Sequence, residues 1–294
     1  MAKAKHFGIL VATDGSAEAT AAVKATVAFP WSAEASVHAV VVRTPLPVAD
    51  VPALVLTDVD RGLDVVAESA NKILASRWPD VDARVVDGPT VDAILRYADR
   101  VRARVVVVGS HGHGPIARLL LGSTSLGIVR RMKHAALIVR GSPRGFARVV
   151  VGLDGSLHSR HTVAFLAALD PPAAAEVTLV RVFENAALPS LAIMPASARA
   201  VVLAQVQAES DAAEKKWRRE AESIASELRT AGWKVNTVVR KGSPLDELLG
   251  AAKSGRAQLL ALGARGHGAL ERLLLGSVAE GALHRAPMSV LVVR

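Results

Sequence analysis

Ten short runs of apolar, largely β-branched residues recur along the chain, and longer polar or amphipathic stretches separate them. Most of these runs are continuously apolar, which is typical of strands buried on both faces of a parallel sheet. The pattern predicts strands at 7–13, 37–43, 81–86, 104–109, 135–140, 148–153, 176–183, 234–240, 257–263 and 288–293.

The stretches between these runs predict helices. In 90–103 the apolar residues Val91, Ile94, Leu95 and Ala98 recur at helical spacing, with charged residues on the other side. Pro244 indicates the start of another helix over 244–257, because proline fits the first helical position. Alternating strands and helices predict an α/β fold with helices flanking a parallel sheet.

The same order of elements occurs twice. The segment FGILVATDGS at 7–16 matches RVVVGLDGS at 148–156, and "VVVVGSHGHGPIARLLLGSTS" at 105–125 matches "LLALGARGHGALERLLLGSVA" at 259–279. The alignment requires an insertion of about 14 residues between the second and third strands of the second half, which would lengthen its second helix. We therefore predict one domain at 1–141, a linker at 142–147 and a second domain at 148–294.

Composition narrows the classes of function. The 294 residues are 51% hydrophobic and include no cysteine, which excludes disulfides and thiolate chemistry. No apolar run approaches the roughly 18 residues of a membrane span, and the N-terminus does not resemble a secretory signal. We expect a cytoplasmic protein without a membrane partner.

The net charge of +9 raises the question of nucleic acid. The excess is spread over both halves, and only 3% of residues are aromatic, so stacking surfaces for single strands are scarce. Solvated helix faces account for this charge, and nucleic acid is not an expected partner.

Candidate chemistry lies where two strands of each half end. In doubly wound sheets, ligands bind beyond the carboxyl ends of the strands, at the point where the strand order reverses. The first strands end at Asp14 and Asp154, and the fourth strands end at Gly109 and Gly263. If the first and fourth strands are neighbours, each aspartate faces the glycine loop across a crevice.

The spacing Gly-x2-Gly-x9-Gly-Ser begins at Gly109 and again at Gly263. It matches neither the dinucleotide fingerprint nor the phosphate loop of nucleoside triphosphatases. Glycines in such a loop allow close backbone approach to a ligand, and the helix that follows offers free N–H donors to phosphate. An ordinary strand-to-helix turn explains each glycine singly, whereas the repeated spacing favours a ligand site.

Other polar residues have simpler interpretations. His111 and His113 form a His-x-His pair, but too few further ligands lie nearby in sequence for a metal site. Ser16 and Ser156 follow Asp-Gly, and helix capping explains them better than nucleophilic catalysis. Arg118 could meet phosphate or pair at a surface.

The combined motifs resemble the universal stress protein family, as a tandem of two domains. The resemblance rests on "ILVATDGS" and "VVVGLDGS", both glycine loops, and the endings "ALIVR" and "VLVVR". It implies two Rossmann-like domains, each with a five-stranded parallel sheet in the order 3-2-1-4-5. It also implies ATP, with or without Mg²⁺, as the ligand, and pairing of domains through the fifth strand.

The resemblance further implies which residues bind the nucleotide, with adenine or ribose near the first and second strands and phosphates near the glycine loop. In the first domain these are Ala12, Asp14, Val42, Gly109, Gly112, Gly122, Ser123, Thr124 and Ser125. In the second they are Gly152, Asp154, Val182, Gly263, Gly266, Gly276, Ser277 and Val278. The family often has a hydroxyl where Ser125 stands, and Ala279 lacks it, so we expect weaker phosphate binding in the second domain.

The leading hypothesis is a nucleotide-responsive regulator in stress response that forms a homodimer and acts on a protein partner yet to be identified. The alternative is an enzyme on the same platform, hydrolysing ATP or transferring an adenylyl group. No phosphate-loop lysine or evident general base accompanies either crevice, so at most weak hydrolysis is expected.

Overall fold

The structure is a computed structural model that describes residues 7–45, 53–111, 121–143, 145–184, 194–266 and 275–294. Its first half contains five strands and four helices in alternation. In chain order they are β1 (Phe7–Ala12), α1 (Ala17–Ala28), β2 (Ala35–Arg43), α2 (Ala53–Leu74), β3 (Ala83–Asp87), α3 (Thr90–Arg100), β4 (Ala103–Gly109), α4 (Ser123–Arg131) and β5 (Ala135–Val139).

The second half repeats this order. Its elements are β6 (Arg148–Gly152), α5 (Leu157–Ala167), β7 (Glu176–Phe183), α6 (Ala196–Thr230), β8 (Lys234–Lys241), α7 (Pro244–Ser254), β9 (Leu259–Gly263), α8 (Ser277–Arg285) and β10 (Ser289–Val293). All ten predicted strands are therefore present, with ends shifted by no more than a few residues. Pro244 begins α7, as predicted.

The ten strands form one sheet in the order β3-β2-β1-β4-β5-β10-β9-β6-β7-β8. Each half has the predicted order 3-2-1-4-5 with parallel pairing throughout. The α/β fold with two Rossmann-like halves is thus confirmed. Because β1 neighbours β4, and β6 neighbours β9, the order of the strands reverses once in each half, where a crevice is expected.

The halves join at the centre of the sheet, where β5 and β10 pair antiparallel from Ala135–Val293 to Ile138–Val290. Pairing through the fifth strand therefore occurs within the chain. Apolar side chains from both halves form a shared core on the face covered by α1 and α5. There the Phe7 ring of β1 packs edge-on against the Phe165 ring of α5, with 5.3 Å between the ring centroids.

The predicted insertion lengthens α6, which has 35 residues against 22 in α2. The buried residues of α6 begin only at Trp217 and continue through Ala221, Ala225 and Leu228. The extra turns therefore precede the part of the helix that covers the sheet. No helix in the described ranges is both long and apolar enough to cross a membrane.

Candidate functional site

In each half, the loop that follows the first strand and the loop that follows the fourth strand begin at the same edge of the sheet, because the two strands are parallel neighbours. In the loop after β1, the Asp14 carboxylate accepts a hydrogen bond from the Ser16 backbone N–H at 2.9 Å. Asp154 accepts the same bond from Ser156 at 2.9 Å. The intervening glycines have φ of 81° and 83°, a left-handed conformation that favours glycine. The two loops therefore hold their aspartates in the same way.

The serines that follow are helix caps, as predicted. The Ser16 hydroxyl oxygen accepts from the Ala19 N–H at 3.3 Å, and that of Ser156 accepts from the Ser159 N–H at 3.2 Å. The Ser156 hydroxyl also donates to the Arg265 carbonyl at 3.2 Å, which ties the first loop to the glycine loop. Capping oxygens satisfy N–H groups that a helix start otherwise leaves free.

In the second half the aspartate faces the glycine loop directly. A Cβ added at Gly266 would lie 2.6 Å from the Asp154 Oδ2 atom, so this carboxylate packs against bare glycine backbone. Asp154 and the glycine loop of the second half are therefore direct neighbours. Its counterpart in the first half would involve Gly112, which lies outside the described residues, as do His113 and Arg118.

Gly109 and Gly263 require correction in their physical role. A Cβ at Gly109 would lie 2.8 Å from the Glu18 backbone carbonyl, and one at Gly263 would lie 2.8 Å from the backbone carbon of His158. Neither has positive φ. These glycines allow the first turn of α1 or α5 to pack against a strand end, rather than allowing a ligand to approach.

Ala12 and Gly152, predicted to line the pocket, end β1 and β6. Ala12 is 8% exposed and belongs to the core under the crevice, and a Cβ at Gly152 would lie 2.6 Å from the Leu262 side chain. Their side-chain positions are thus directed to core packing. Only their backbone can border a ligand.

Val42 and Val182 present backbone groups to the crevices. The Val40 carbonyl accepts from Thr13 of the β1 side, whereas the Arg43 carbonyl accepts from Gly88 of the β3 side. Because successive residues of a strand alternate their bonding direction, the N–H and C=O of Val42 face the β1 side, beyond the end of β1. The bonds of Val180 with Leu153 and of Phe183 with Gly242 put Val182 in the same position.

The helices that start at Gly122 and Gly276 lack the caps found on α1 and α5. Each glycine is an N-cap in extended conformation, and no side chain caps α4 or α8 within the described ranges. The Gly122 N–H donates to the Ser110 carbonyl at 2.9 Å, and the Gly276 N–H donates to the Ala264 carbonyl at 2.8 Å. These bonds fix the helix starts beside the ends of β4 and β9, with first-turn N–H groups available to an anion.

The first residues of these helices differ between halves. Ser123 and Ser277 are exposed, whereas Thr124 and Val278 are half-buried at the equivalent second positions. The first half therefore offers one hydroxyl more near its helix start.

The role predicted for the Ser125 hydroxyl also requires correction. This hydroxyl is buried and donates to the Gly109 carbonyl at 2.7 Å, so it fastens α4 to the end of β4. At the equivalent position, Ala279 is 2% exposed within the core. The difference between Ser125 and Ala279 thus concerns packing, and it gives no reason to expect weaker phosphate binding in the second half.

Two nitrogen atoms at equivalent positions in the glycine loops are buried without a hydrogen-bond partner in the described structure. They are Nε2 of His111 and Nε of Arg265. The other ring nitrogen of His111 lies 2.9 Å from the Ser110 hydroxyl. The Arg265 Nε–H is a donor, so its burial without an acceptor is costly, and a ligand beside this loop would supply one.

Two arginines that contact the opposite half were not predicted from the sequence. Arg140 follows β5 and Arg294 follows β10, at the ends of "ALIVR" and "VLVVR". Each guanidinium contacts a helix of the other half. Arg140 donates a hydrogen bond to the Leu283 carbonyl, and Arg294 donates one to the Arg130 carbonyl. The only sequence signal was that both endings finish with arginine.

Comparison with known proteins gives consistent matches over both halves. The model of the universal stress protein family matches residues 8–140 and again 145–294. A universal stress protein of Mycolicibacterium smegmatis is 30% identical over 175 residues, which cover 52% of this chain and 56% of that protein. One of Mycobacterium tuberculosis is 30% identical over 143 residues, which cover 47% of each. The chain thus spans about half the length of the curated relatives that it matches.

Solved structures support the fold. A universal stress protein from Archaeoglobus fulgidus matches with a TM-score of 0.66 at 20% identity, and the match covers 97% of both chains. A protein described as a putative universal stress protein from Pseudomonas aeruginosa matches with a TM-score of 0.59 at 15% identity, covering 98% and 93%. At these identities the likeness concerns the fold alone.

Proposed function

The chain belongs to the universal stress protein family, and from this premise we propose that it binds ATP in both crevices and acts as a nucleotide-responsive regulator in stress response. The observation that carries the proposal is the pair of helix starts at Gly122 and Gly276, beside the ends of β4 and β9, which no side chain of the described residues caps. The neighbouring helices α1 and α5 have serine caps. The free N–H groups therefore occur at the helices that border the crevices.

Phosphate suits these helix starts. The N-terminus of a helix combines N–H donors with the positive end of the helix dipole, and together they favour an anion. Ser123 and Ser277 add exposed hydroxyls in the same turn. The buried Arg265 Nε–H would also gain an acceptor, and the buried His111 Nε2 would gain a hydrogen-bond partner.

The nucleoside end of ATP suits the opposite side of each crevice. The backbone N–H and C=O of Val42 and Val182 lie beyond the ends of β1 and β6, where they can bond to the edge of a base. Asp14 and Asp154 follow the ends of β1 and β6, and in this proposal their carboxylates accept hydrogen bonds from the ribose hydroxyls. A divalent ion such as Mg²⁺ would accompany the phosphates of ATP.

Within this proposal, ATP is a bound signal and not a substrate that must turn over. The bound nucleotide would alter the contacts between the two halves, between the two chains of a homodimer, or with a protein partner. Hydrolysis or adenylyl transfer is the alternative, and release of ADP well beyond one equivalent per site would favour it.

Calorimetric titration of the full chain with ATP tests the proposal, with two sites per chain expected. The decisive variants are Gly122→Asp and Gly276→Asp. Aspartate is a good N-cap, so its carboxylate would occupy the free N–H groups and repel phosphate without unfolding the helix. Each variant should lose one site, and the double variant should lose both.

Matched controls are Gly122→Ala and Gly276→Ala, which change the same backbone positions but add no acceptor. A Cβ at Gly276 meets its nearest neighbour at 3.4 Å, an ordinary contact. Alanine variants should therefore bind ATP as the parent does. If the aspartate variants retain two sites, the helix starts do not bind phosphate and the proposal fails.

A further inference from the structure

We infer that Arg140 and Arg294 are positioning residues that act in trans: each holds the phosphate-binding helix of the other half in place. This inference rests on the proposed ATP binding. Its evidence is a set of hydrogen bonds that cross between the halves.

Arg294, the last residue of the second half, holds helix α4 of the first. Its Nη2 atom donates to the Arg130 carbonyl at 2.7 Å and to the Val129 carbonyl at 3.3 Å. These carbonyls belong to the last turn of α4, whose final carbonyls have no partner within the helix. A cation at this end also interacts favourably with the negative end of the helix dipole.

Arg140 makes the reciprocal contact. It follows the last strand of the first half, and its Nη2 atom donates to the carbonyl of Leu283 in the last turn of α8. Leu283 is the equivalent of Val129, as Arg294 is of Arg140. Burial lowers the pKa of both guanidinium groups, which agrees with their position between the halves. The two arginines therefore make equivalent contacts, each with the last helical turn of the opposite half.

Backbone hydrogen bonds connect the residues next to these arginines with the starts of α4 and α8. In the first half, Gly122 donates to the Ser110 carbonyl, and the Ser110 N–H donates to the Val139 carbonyl, next to Arg140.

In the second half, Gly276 donates to the Ala264 carbonyl, and the Ala264 N–H donates to the Val293 carbonyl, next to Arg294. Through α8 and α4 these two series join into a closed circuit that passes both helix starts. In each half, the helix start is therefore held by backbone bonds of the same half, whereas the helix end is held by the arginine of the other half.

Positioning matters because α4 and α8 are short, with nine residues each. Helices of this length are not stable alone, so their place depends on contacts at both ends. The first-turn N–H groups can bind phosphate well only if the helix is fixed. We expect loss of either arginine to weaken ATP binding about three- to tenfold, in the opposite half only.

The test uses single-site proteins. Gly276→Asp leaves the first crevice, and Gly122→Asp leaves the second. In the first-crevice protein, Arg294→Met should raise the Kd for ATP and Arg140→Met should not. In the second-crevice protein the two effects should exchange. Arg294→Lys and Arg140→Lys should restore part of the affinity, because they keep the cation.

Amide hydrogen exchange gives a readout without ATP. Arg294→Met should speed exchange in α4 and not in α8, and Arg140→Met should do the reverse. Equal weakening of both crevices, or weakening within the same half, would overturn the inference and indicate a general loss of stability. If the parent chain binds no ATP, the proposed function fails, while the exchange measurement still decides whether the arginines position the helices in trans.

Discussion

The two halves of this chain share their strand order and the hydrogen bond within the Asp-Gly-Ser loop, but they pack their outer helices differently. In the first half, α2 lies close on the loop after β1, and a Cβ at Gly15 would meet the Val66 side chain at 2.7 Å. In the second half, a cavity of 320 Å³ lies between α5 and α6 beside the equivalent Gly155. The loops and strand registers are shared, whereas side chains between the outer helix and the sheet differ.

The side chains in question are charged in one half and apolar in the other. Val41 of β2 is 1% exposed, and the equivalent residue of β7 is Arg181. Val66 of α2 corresponds to Glu220 of α6, which lines the cavity. Arg181 donates to the Leu153 carbonyl at 3.3 Å.

Burial lowers the pKa of Arg181, and the nearby Asp154 and Glu220 partly oppose this. The Arg181 guanidinium is large and charged, so α6 cannot pack as closely above it as α2 packs above Val41. The repeat therefore keeps its backbone and loop geometry while it tolerates a change from a dry to a polar helix interface. We expect the shared features to be equally sensitive in both halves and the divergent ones to respond in opposite directions.

Exchange of the residues that differ should have the largest effect. Val41→Arg would place an unpaired charge in a dry interface, and we expect a loss of about 3–5 kcal/mol in the free energy of unfolding. Arg181→Val should cost little or stabilise the protein, because it removes a guanidinium whose burial is only partly compensated. Chemical denaturation of both variants measures the contrast. Similar losses in the two variants would contradict this contrast between the halves.

A shared feature should behave equally in both halves and ranks next. Gly109→Val and Gly263→Val would force a side chain into the backbone of α1 or α5, and each should cost about 1–3 kcal/mol. Gly250→Ala in α7 is the control, because a Cβ there meets nothing within 4 Å. Alanine should stabilise that helix slightly. Thermal unfolding compares the three, and a mild effect at Gly109 would contradict the close helix contact.

The buried hydroxyl of Ser125, which Ala279 lacks, should have a smaller effect. Ser125→Ala removes the bond to the Gly109 carbonyl, and we expect a loss of about 0.5–1.5 kcal/mol in stability. If ATP binds the first crevice, its Kd should stay nearly constant, because this hydroxyl is engaged within the protein. A large rise in Kd without loss of stability would make Ser125 a phosphate ligand instead.

The smallest effect concerns pH. Burial, and then the positive groups Arg265, His161 and Arg294, lower the pKa of His158 from its ordinary 6.5, although Asp154 opposes the shift. The folded protein then binds fewer protons than the unfolded chain, so stability should fall as the pH drops below about 6.5. The equivalent residue in the first half is Glu18. Denaturation at pH 5.5 and 7.5 should show a weaker pH dependence for His158→Gln, and an unchanged dependence would exclude this histidine as its source.

The sequence alone determined the repeat, all ten strands and the family. Continuous apolar runs have few other solutions than buried parallel strands, and a motif spacing that occurs twice identifies equivalent loops. The same reasoning predicted the caps Ser16 and Ser156, because capping depends on residues three positions apart.

Only the tertiary structure decided what the residues of the repeated motifs contact. Gly109 borders a helix backbone and Ser125 a strand carbonyl, since these partners come from elements far away in sequence. Arg140 and Arg294 could not be recognised from their neighbours in the chain, because each acts on the opposite half. The antiparallel contact of β5 with β10 brings them there, and that pairing is a property of the whole sheet.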